Sequence, residues 1–258
     1  MSEPARRLTW QVATVKATKD ETATARTLTL DVPGWPGHQP GQHLAVKLTA
    51  EDGYSAQRDY SIGSAPEAGR LEITIQRIAD GEVSPYLNGI AEPGDQFEVR
   101  GPIGGWYTWR ENDPRPLLLL AGGSGIVPLM SMIRTHDQVN SQVPVRLIYS
   151  VRTLADVIYA AEISERQRVS PLTVTFLYTR SGPPETSAHV QVSPVQGSSS
   201  YVGRLNAKVL AEAAFPPEEH PAAYVCGPTG FVEAAADLLV AAGHHPDRIK
   251  TERFGPTS

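Results

Sequence analysis

Only one of the 258 residues is cysteine, Cys226. That excludes an intramolecular disulfide and any zinc or iron–sulfur centre built from several cysteines of this chain. The seven histidines show no metal-ligand spacing, so no metal site is expected, and His38, His43, His244 and His245 read as solvated. Charge is also lacking: a net charge of −5 gives no chain-wide basic character to attract nucleic acid or an anionic lipid surface. No apolar run reaches the length of a membrane span, and the opening MSEPARRLTW has no apolar signal core. A soluble, cytoplasmic protein is expected, and no internal repeat is evident.

What is present divides in two. Up to about residue 105 the hydrophobic period is two: Leu28, Leu30 and Val32 alternate with polar residues, as do Leu44, Val46 and Leu48, and Leu71, Ile73 and Ile75 with Glu72, Thr74 and Gln76. Turn clusters such as PGWPGHQPGQ, EDGYS and EPGD separate these runs. Short strands at this spacing predict an antiparallel β-barrel or sandwich, with one short helix near residues 84–91. After the polar segment RENDPRP the pattern changes. Strand-length runs, LLLLA, VRLIYSV, LTVTFLY and AYVC, alternate with helix-period segments, which predicts a parallel α/β sheet. The expected organisation is a barrel domain over residues 1–112 and an α/β domain over 113–258. The serine-rich stretch PVQGSSSYVG, residues 194–203, reads as a surface loop.

Four motifs carry chemistry. The first, LLLLAGGSGIVP, is a buried strand running into a glycine turn and a helix. Gly122, Gly123 and Gly125 let a bulky anion approach the backbone, and Pro128 fits a first helical turn. The third glycine of the dinucleotide fingerprint GxGxxG is absent, and a plain glycine turn has the same appearance. The second is RDYSIGSAP, where the Arg58 fork suits phosphate and Tyr60 offers a ring; a barrel strand with a salt-bridged arginine and a half-buried tyrosine is the commoner origin of such a pattern. Alternation puts Arg58 and Tyr60 on one face and Ser61 on the other unless the strand is distorted. The third, DGEVSPYL, sets Gly81 to Ser84 at a helix start, either cradling a phosphate or serving as an ordinary cap. The fourth, YVCGPTGFV, is a second strand–turn–helix with Thr229 as the expected cap; Cys226 at its tip reads as packing or as part of a site.

RDYS, GEVS, GPIGGW, AGGSGIVP, YTR, the GR at residues 203–204, CGP and TERF together resemble the ferredoxin–NADP reductase family in order and approximate spacing. The resemblance spans nearly the whole chain and accounts for the unusual glycine turn, since GGSGIVP is that family's pyridine-nucleotide loop. It implies a flavin-binding barrel followed by an NAD(P)-binding domain. Arg58 would hold the flavin pyrophosphate, Tyr60 would pack on the flavin, and Ser61 would bond near N5, which requires the strand to be distorted. Ile75, Gln76 and Arg77 would line the flavin, with Gly81, Val83 and Ser84 at its phosphate. Gly122, Gly123, Ser124 and Gly125 would meet the nicotinamide nucleotide, and Cys226, Gly227 and Pro228 its nicotinamide end. Glu252 and Phe254 match a C-terminal acid and aromatic near the flavin. Ser61, Cys226 and Glu252 are the expected catalytic group.

Arg152, Arg180 and Arg204 match positions that clasp the 2′-phosphate of NADPH in such enzymes, where a planar guanidinium suits a dianion, and Thr179 beside Arg180 is expected at the nucleotide as well. The resemblance therefore implies a flavoenzyme that passes hydride from NADPH to FAD and electrons to a separate redox protein. NADH and FMN are the alternative cofactors. A reductase of free flavin or quinone, and an inactive nucleotide-sensing module, are the alternative functions. Some relatives continue past TERF into an iron–sulfur domain. This chain ends at GPTS, so its acceptor is expected to be another molecule. The sequence is silent on oligomeric state.

Overall fold

A computed structural model describes residues 8–66, 71–180 and 198–255. The N-terminal half holds six strands: β1 (Gln11–Thr22), β2 (Ala25–Asp31), β3 (His43–Thr49), β4 (Ser55–Ser61), β5 (Leu71–Gln76) and β6 (Gln96–Ile103). They pair antiparallel in the order β4-β3-β6-β1-β2-β5. The end strands meet through an Ile62–Ile73 bridge and a bond from Gly63 N to Glu72 O of 2.8 Å, which closes the sheet into the expected barrel. Leu28, Leu30, Leu44, Val46, Ile73, Ile75 and Val99 fill its interior. Helix α1 (Ser84–Gly89) packs Leu87 onto that core.

The C-terminal half forms a second sheet from β7 (Leu117–Gly122), β8 (Val145–Val151), β9 (Leu172–Tyr178), β10 (Ser199–Val202), β11 (Ala222–Pro228) and β12 (Ile249–Phe254). All pairings are parallel, in the order β10-β9-β8-β7-β11-β12. Helices α2 (Ile126–Gln138) and α3 (Ala160–Val169) belong with the core of one face, while α4 (Ala207–Ala213) and α5 (Thr229–Ala241) cover the other. Coverage on both faces explains why Leu117–Leu120 and the VRLIYSV run are almost continuously apolar. The chain runs outward from β7 to β10, then returns to lay β11 on the other side of β7. The order therefore reverses between β7 and β11, and such a reversal opens a crevice at the carboxyl ends of the strands.

Several sequence expectations change. Residues 199–202 of the supposed serine-rich loop form the edge strand β10; residues 194–197 lie outside the described residues. Glu72 and Thr74, which alternation points outward, are buried because the α/β domain covers that face of β5. Thr229 is the first helical residue of α5 rather than its cap, which is Pro228. The segment expected as one helix over LADVIYAAEISERQ breaks into a short turn and α3, because Tyr159 between them adopts a left-handed conformation, φ 62°. Of the histidines expected to be solvated only His245 is exposed: His38 and His244 are buried, and His43 is partly so. His38 bonds Ser64 O through Nε2 at 3.0 Å, and burial lowers the pKa of all three.

Candidate functional site

The loops that leave β7 and β11 flank the crevice and interlock. A Cβ on Gly125 would lie 2.1 Å from the carbonyl oxygen of Cys226. A Cβ on Gly122 or Gly227 would meet the Phe231 ring at 2.8 Å. Only glycine leaves room for the two turns to pass, and Gly123 and Ser124, partly exposed, stand just before α2. Gly123 has φ 54°, and its missing Cβ would stand 3.8 Å from Oε1 of Gln76 on β5. The glycine turn of one domain thus faces the strand of the other that the resemblance assigns to the flavin.

Ser61, Cys226 and Glu252 come together. Cys226 on β11 lies in register with Glu252 on β12. The Ser61 side chain, reaching across from the barrel, hydrogen-bonds the Glu252 carboxyl. Burial raises the Glu252 pKa to about 7, and the Ser61 bond only partly opposes this. Burial and the nearby Glu252 charge push the Cys226 thiol well up, so it is neutral. Phe254 lies in register with Pro228 at the end of the same strand pair and is partly exposed.

The strand distortion expected around RDYS is absent: β4 and β3 keep an unbroken register from Thr49–Ser55 to His43–Ser61. Alternation therefore holds, with Tyr60 packing against the barrel core and Ser61 facing Glu252 on the opposite side. Ile75 and Val83 are wholly buried, with their side chains inside the barrel, so only their main chain is available to a ligand. Arg77 is exposed. Arg58 pairs with Glu82 at 2.8 Å, and Tyr54 donates its hydroxyl to the same carboxylate. Ser84 is buried, and its Oγ accepts from Ile78 N at 3.1 Å, bracing the turn below Gly81. A Cβ on Gly81 would stand 2.9 Å from that oxygen. The fork of Arg58, the glycine turn and the start of α1 present the donors a phosphate needs. Glu82 occupies one nitrogen of the Arg58 fork in this structure.

Arg152, Arg180 and Arg204 follow the carboxyl ends of the adjacent parallel strands β8, β9 and β10, all exposed, and none forms an ion pair among the described residues. Main-chain bonds tie them: Thr179 N donates to Val151 O and Arg180 N to Arg152 O, each at 2.9 Å, and Gly203 N donates to Tyr178 O at 2.8 Å.

Sequence reasoning missed Tyr107. It is buried, edge-on to Tyr224 at 5.5 Å, and its hydroxyl has no hydrogen-bond partner among the described residues. Burial raises its pKa well above the ordinary phenol value, and the nearby Glu252 carboxyl adds to this. Its place behind the glycine turn of GPIGGWYTW was the only signal.

A closed antiparallel barrel whose serine faces an acid and a cysteine of a parallel-sheet domain is the two-domain arrangement expected of the family that the sequence resembles. The comparisons agree. Residues 13–107 match the oxidoreductase FAD-binding domain and residues 119–237 the oxidoreductase NAD-binding domain. The chain belongs to the ferredoxin–NADP reductase-like flavoproteins. It is 31% identical over 221 residues to the glycine betaine monooxygenase reductase subunit of Pseudomonas aeruginosa, covering 85% of this chain and 57% of that protein. It spans little more than half the length of the curated relatives it matches. The FAD/NAD-binding domain of a nitric oxide dioxygenase from Vibrio cholerae superposes with a TM-score of 0.81 at 25% identity, over 95% of this chain and 99% of that one. A ferredoxin NADP+ reductase from Neisseria gonorrhoeae, solved with FAD and NADP, gives 0.77 at 22% identity, over 95% and 98%.

Proposed function

We propose that this chain takes electrons from NADPH onto bound FAD and delivers them to a separate redox protein, such as a ferredoxin or an oxygenase component. The observation that carries the reading is the meeting of Ser61, Cys226 and Glu252 where the two domains face each other. Bound between the domains, the two cofactors would supply hydride transfer from the dihydronicotinamide to the flavin.

The protein binds and orients. Arg58, Gly81, Ser84 and the main chain at Val83 would hold the flavin phosphate, Tyr60 would pack on the flavin, and the main chain at Ile75 with Gln76 and Arg77 would line it. Ser61 steadies the N5 edge. Gly122–Gly125 accept the nicotinamide nucleotide, while Cys226, Gly227, Pro228 and Phe254 pose its reactive end. Glu252, poised near neutrality, holds a proton beside Ser61. The relative named as a monooxygenase reductase subunit supports delivery to a partner protein. Steady-state reduction of a one-electron acceptor dye tests the reading: turnover with NADPH or NADH supports it, and none with either sinks it.

The choice of NADPH rests on Arg152, Arg180 and Arg204 at neighbouring strand ends, with Thr179 beside them. Arg180→Ala is expected to raise the KM for NADPH about tenfold or more, as loss of a charge-assisted bond predicts, and to leave that for NADH nearly unchanged. Equal changes for both nucleotides would remove the phosphate clasp from the account.

A further inference from the structure

The nucleotide domain grips the barrel beside both strands assigned to the flavin. On α2, Arg134 donates through Nη1 to Gly63 O at 2.8 Å and to Glu72 at 3.0 Å, while its Nη2 donates to Glu162 at 2.6 Å. One turn earlier, Ser131 Oγ donates to Ser64 O at 2.6 Å. Gly63 and Ser64 follow Ser61 by two and three residues. Tyr159, wholly buried, hydrogen-bonds its hydroxyl to Thr74. Glu72 and Thr74 lead directly into Ile75 and Gln76. Arg134 lies over the Tyr159 ring at 4.9 Å, so the two grips form one unit.

This unit is built to be stiff. Arg134 is only 13% exposed, and its guanidinium is held between Glu72 from the barrel and Glu162 from α3. Arg134, together with Arg166 on α3, keeps the Glu162 carboxyl down at about 2 despite burial. A left-handed tyrosine is a costly conformation, and it places this hydroxyl in the other domain. Helix α2 starts at Ile126, straight after the glycine turn, with Ile126, Leu129, Met130 and Met132 wholly buried. A single packed helix therefore begins at the nucleotide loop and ends its second turn on the backbone beside Ser61.

We propose that Arg134 and Tyr159 are positioning residues for hydride transfer, setting the spacing between the nicotinamide loop on α2 and the flavin strands β4 and β5. The inference rests on the reductase reading for its chemistry. It goes beyond that reading in assigning the spacing to groups that touch neither cofactor. Such groups affect the rate of a near-contact step more than the affinity of either ligand.

The test uses the whole chain reconstituted with FAD, comparing wild type with Arg134→Met, Arg134→Lys and Tyr159→Phe. Anaerobic stopped-flow gives the limiting rate of flavin reduction and the nucleotide Kd. Flavin fluorescence gives the FAD Kd with and without saturating NADP+. Arg134→Met is expected to slow the limiting rate at least tenfold with the nucleotide Kd changed less than about threefold, and Tyr159→Phe to slow it less. Arg134→Lys, which keeps the charge without the fork, is expected to recover part of the rate. The effect of NADP+ on FAD affinity is expected to shrink in step, because the same contacts couple the two sites. Limiting rates within twofold of wild type in every folded variant overturn the proposal. If Arg134→Met does not fold, Tyr159→Phe, which deletes one hydroxyl, and Arg134→Lys decide it. If wild type is reduced by neither NADPH nor NADH, the reductase reading fails, and the affinity coupling decides the clamp alone: its loss in the variants supports the proposal. Retained coupling, or none in wild type, overturns it.

Discussion

Gly125→Ala is expected to abolish pyridine-nucleotide binding and to lower stability by several kcal/mol. The added methyl would sit 2.1 Å from the Cys226 carbonyl oxygen, 2.4 Å from its carbon and 2.8 Å from Gly227 N. All three are main-chain atoms of a central strand end, so no rotamer change relieves the clash. Overpacking a core typically costs about 1–3 kcal/mol when side chains can yield, and more when backbone must move. Either the β7 turn or the end of β11 has to shift, and both belong to the proposed nucleotide site. Gly230→Ala, in α5 with nothing within 4 Å of the added carbon, is the control. It is expected to be neutral or stabilising by up to about 1 kcal/mol, as helix propensity predicts. Urea denaturation and nucleotide binding by calorimetry check both variants. Wild-type stability and affinity in Gly125→Ala would show that the two loops do not interlock as described.

Glu252→Gln is expected to remove a pH dependence near neutrality. In the folded chain burial holds the Glu252 pKa at about 7, above the ordinary value of 4.5. Below the ordinary value the group is protonated in both states and costs nothing. Between the two values the unfolded chain releases its proton while the folded chain keeps it, so stability falls as pH rises. Above about 7 the loss is complete, on the order of 3 kcal/mol. Tyr107 and Cys226 face the carboxyl but stay neutral through this range, and Ser61 does not titrate. Glutamine preserves the shape and removes the charge, so the variant is expected to be the more stable protein at pH 8 and to lack this slope. Its flavin reduction rate is expected to lose any transition near pH 7. Denaturation midpoints of both proteins from pH 5 to 9 check the first claim, and parallel curves would contradict it.

The elements that depend on local sterics were legible in the chain. A buried strand cannot turn sharply into a helix at AGGSGIVP without glycine, and the Gly125–Cys226 approach shows why. LLLLA and VRLIYSV announced strands covered on both faces, and the alternation in residues 28–32 announced a barrel wall. What depended on the other domain was hidden. Glu72 and Thr74 have the spacing of solvent-facing residues, yet they are buried because Arg134 and Tyr159 supply partners from far along the chain. Arg134 itself looked like any polar residue on a helix. The grouping of Ser61, Cys226 and Glu252 came from family resemblance, since no local pattern joins a barrel strand to two strand ends in the other domain. The same resemblance carried a wrong corollary, a distorted β4, where regular alternation already turns Ser61 toward Glu252.

The central claim is that a nicotinamide nucleotide delivers hydride to a flavin held between these domains. Its most direct measurement is an anaerobic titration of the purified, FAD-loaded protein with NADPH, and separately with NADH, following the flavin absorbance. Rapid bleaching by one equivalent of NADPH, with slower bleaching by NADH, is the predicted result. A flavin that stays oxidised with both nucleotides would contradict the account.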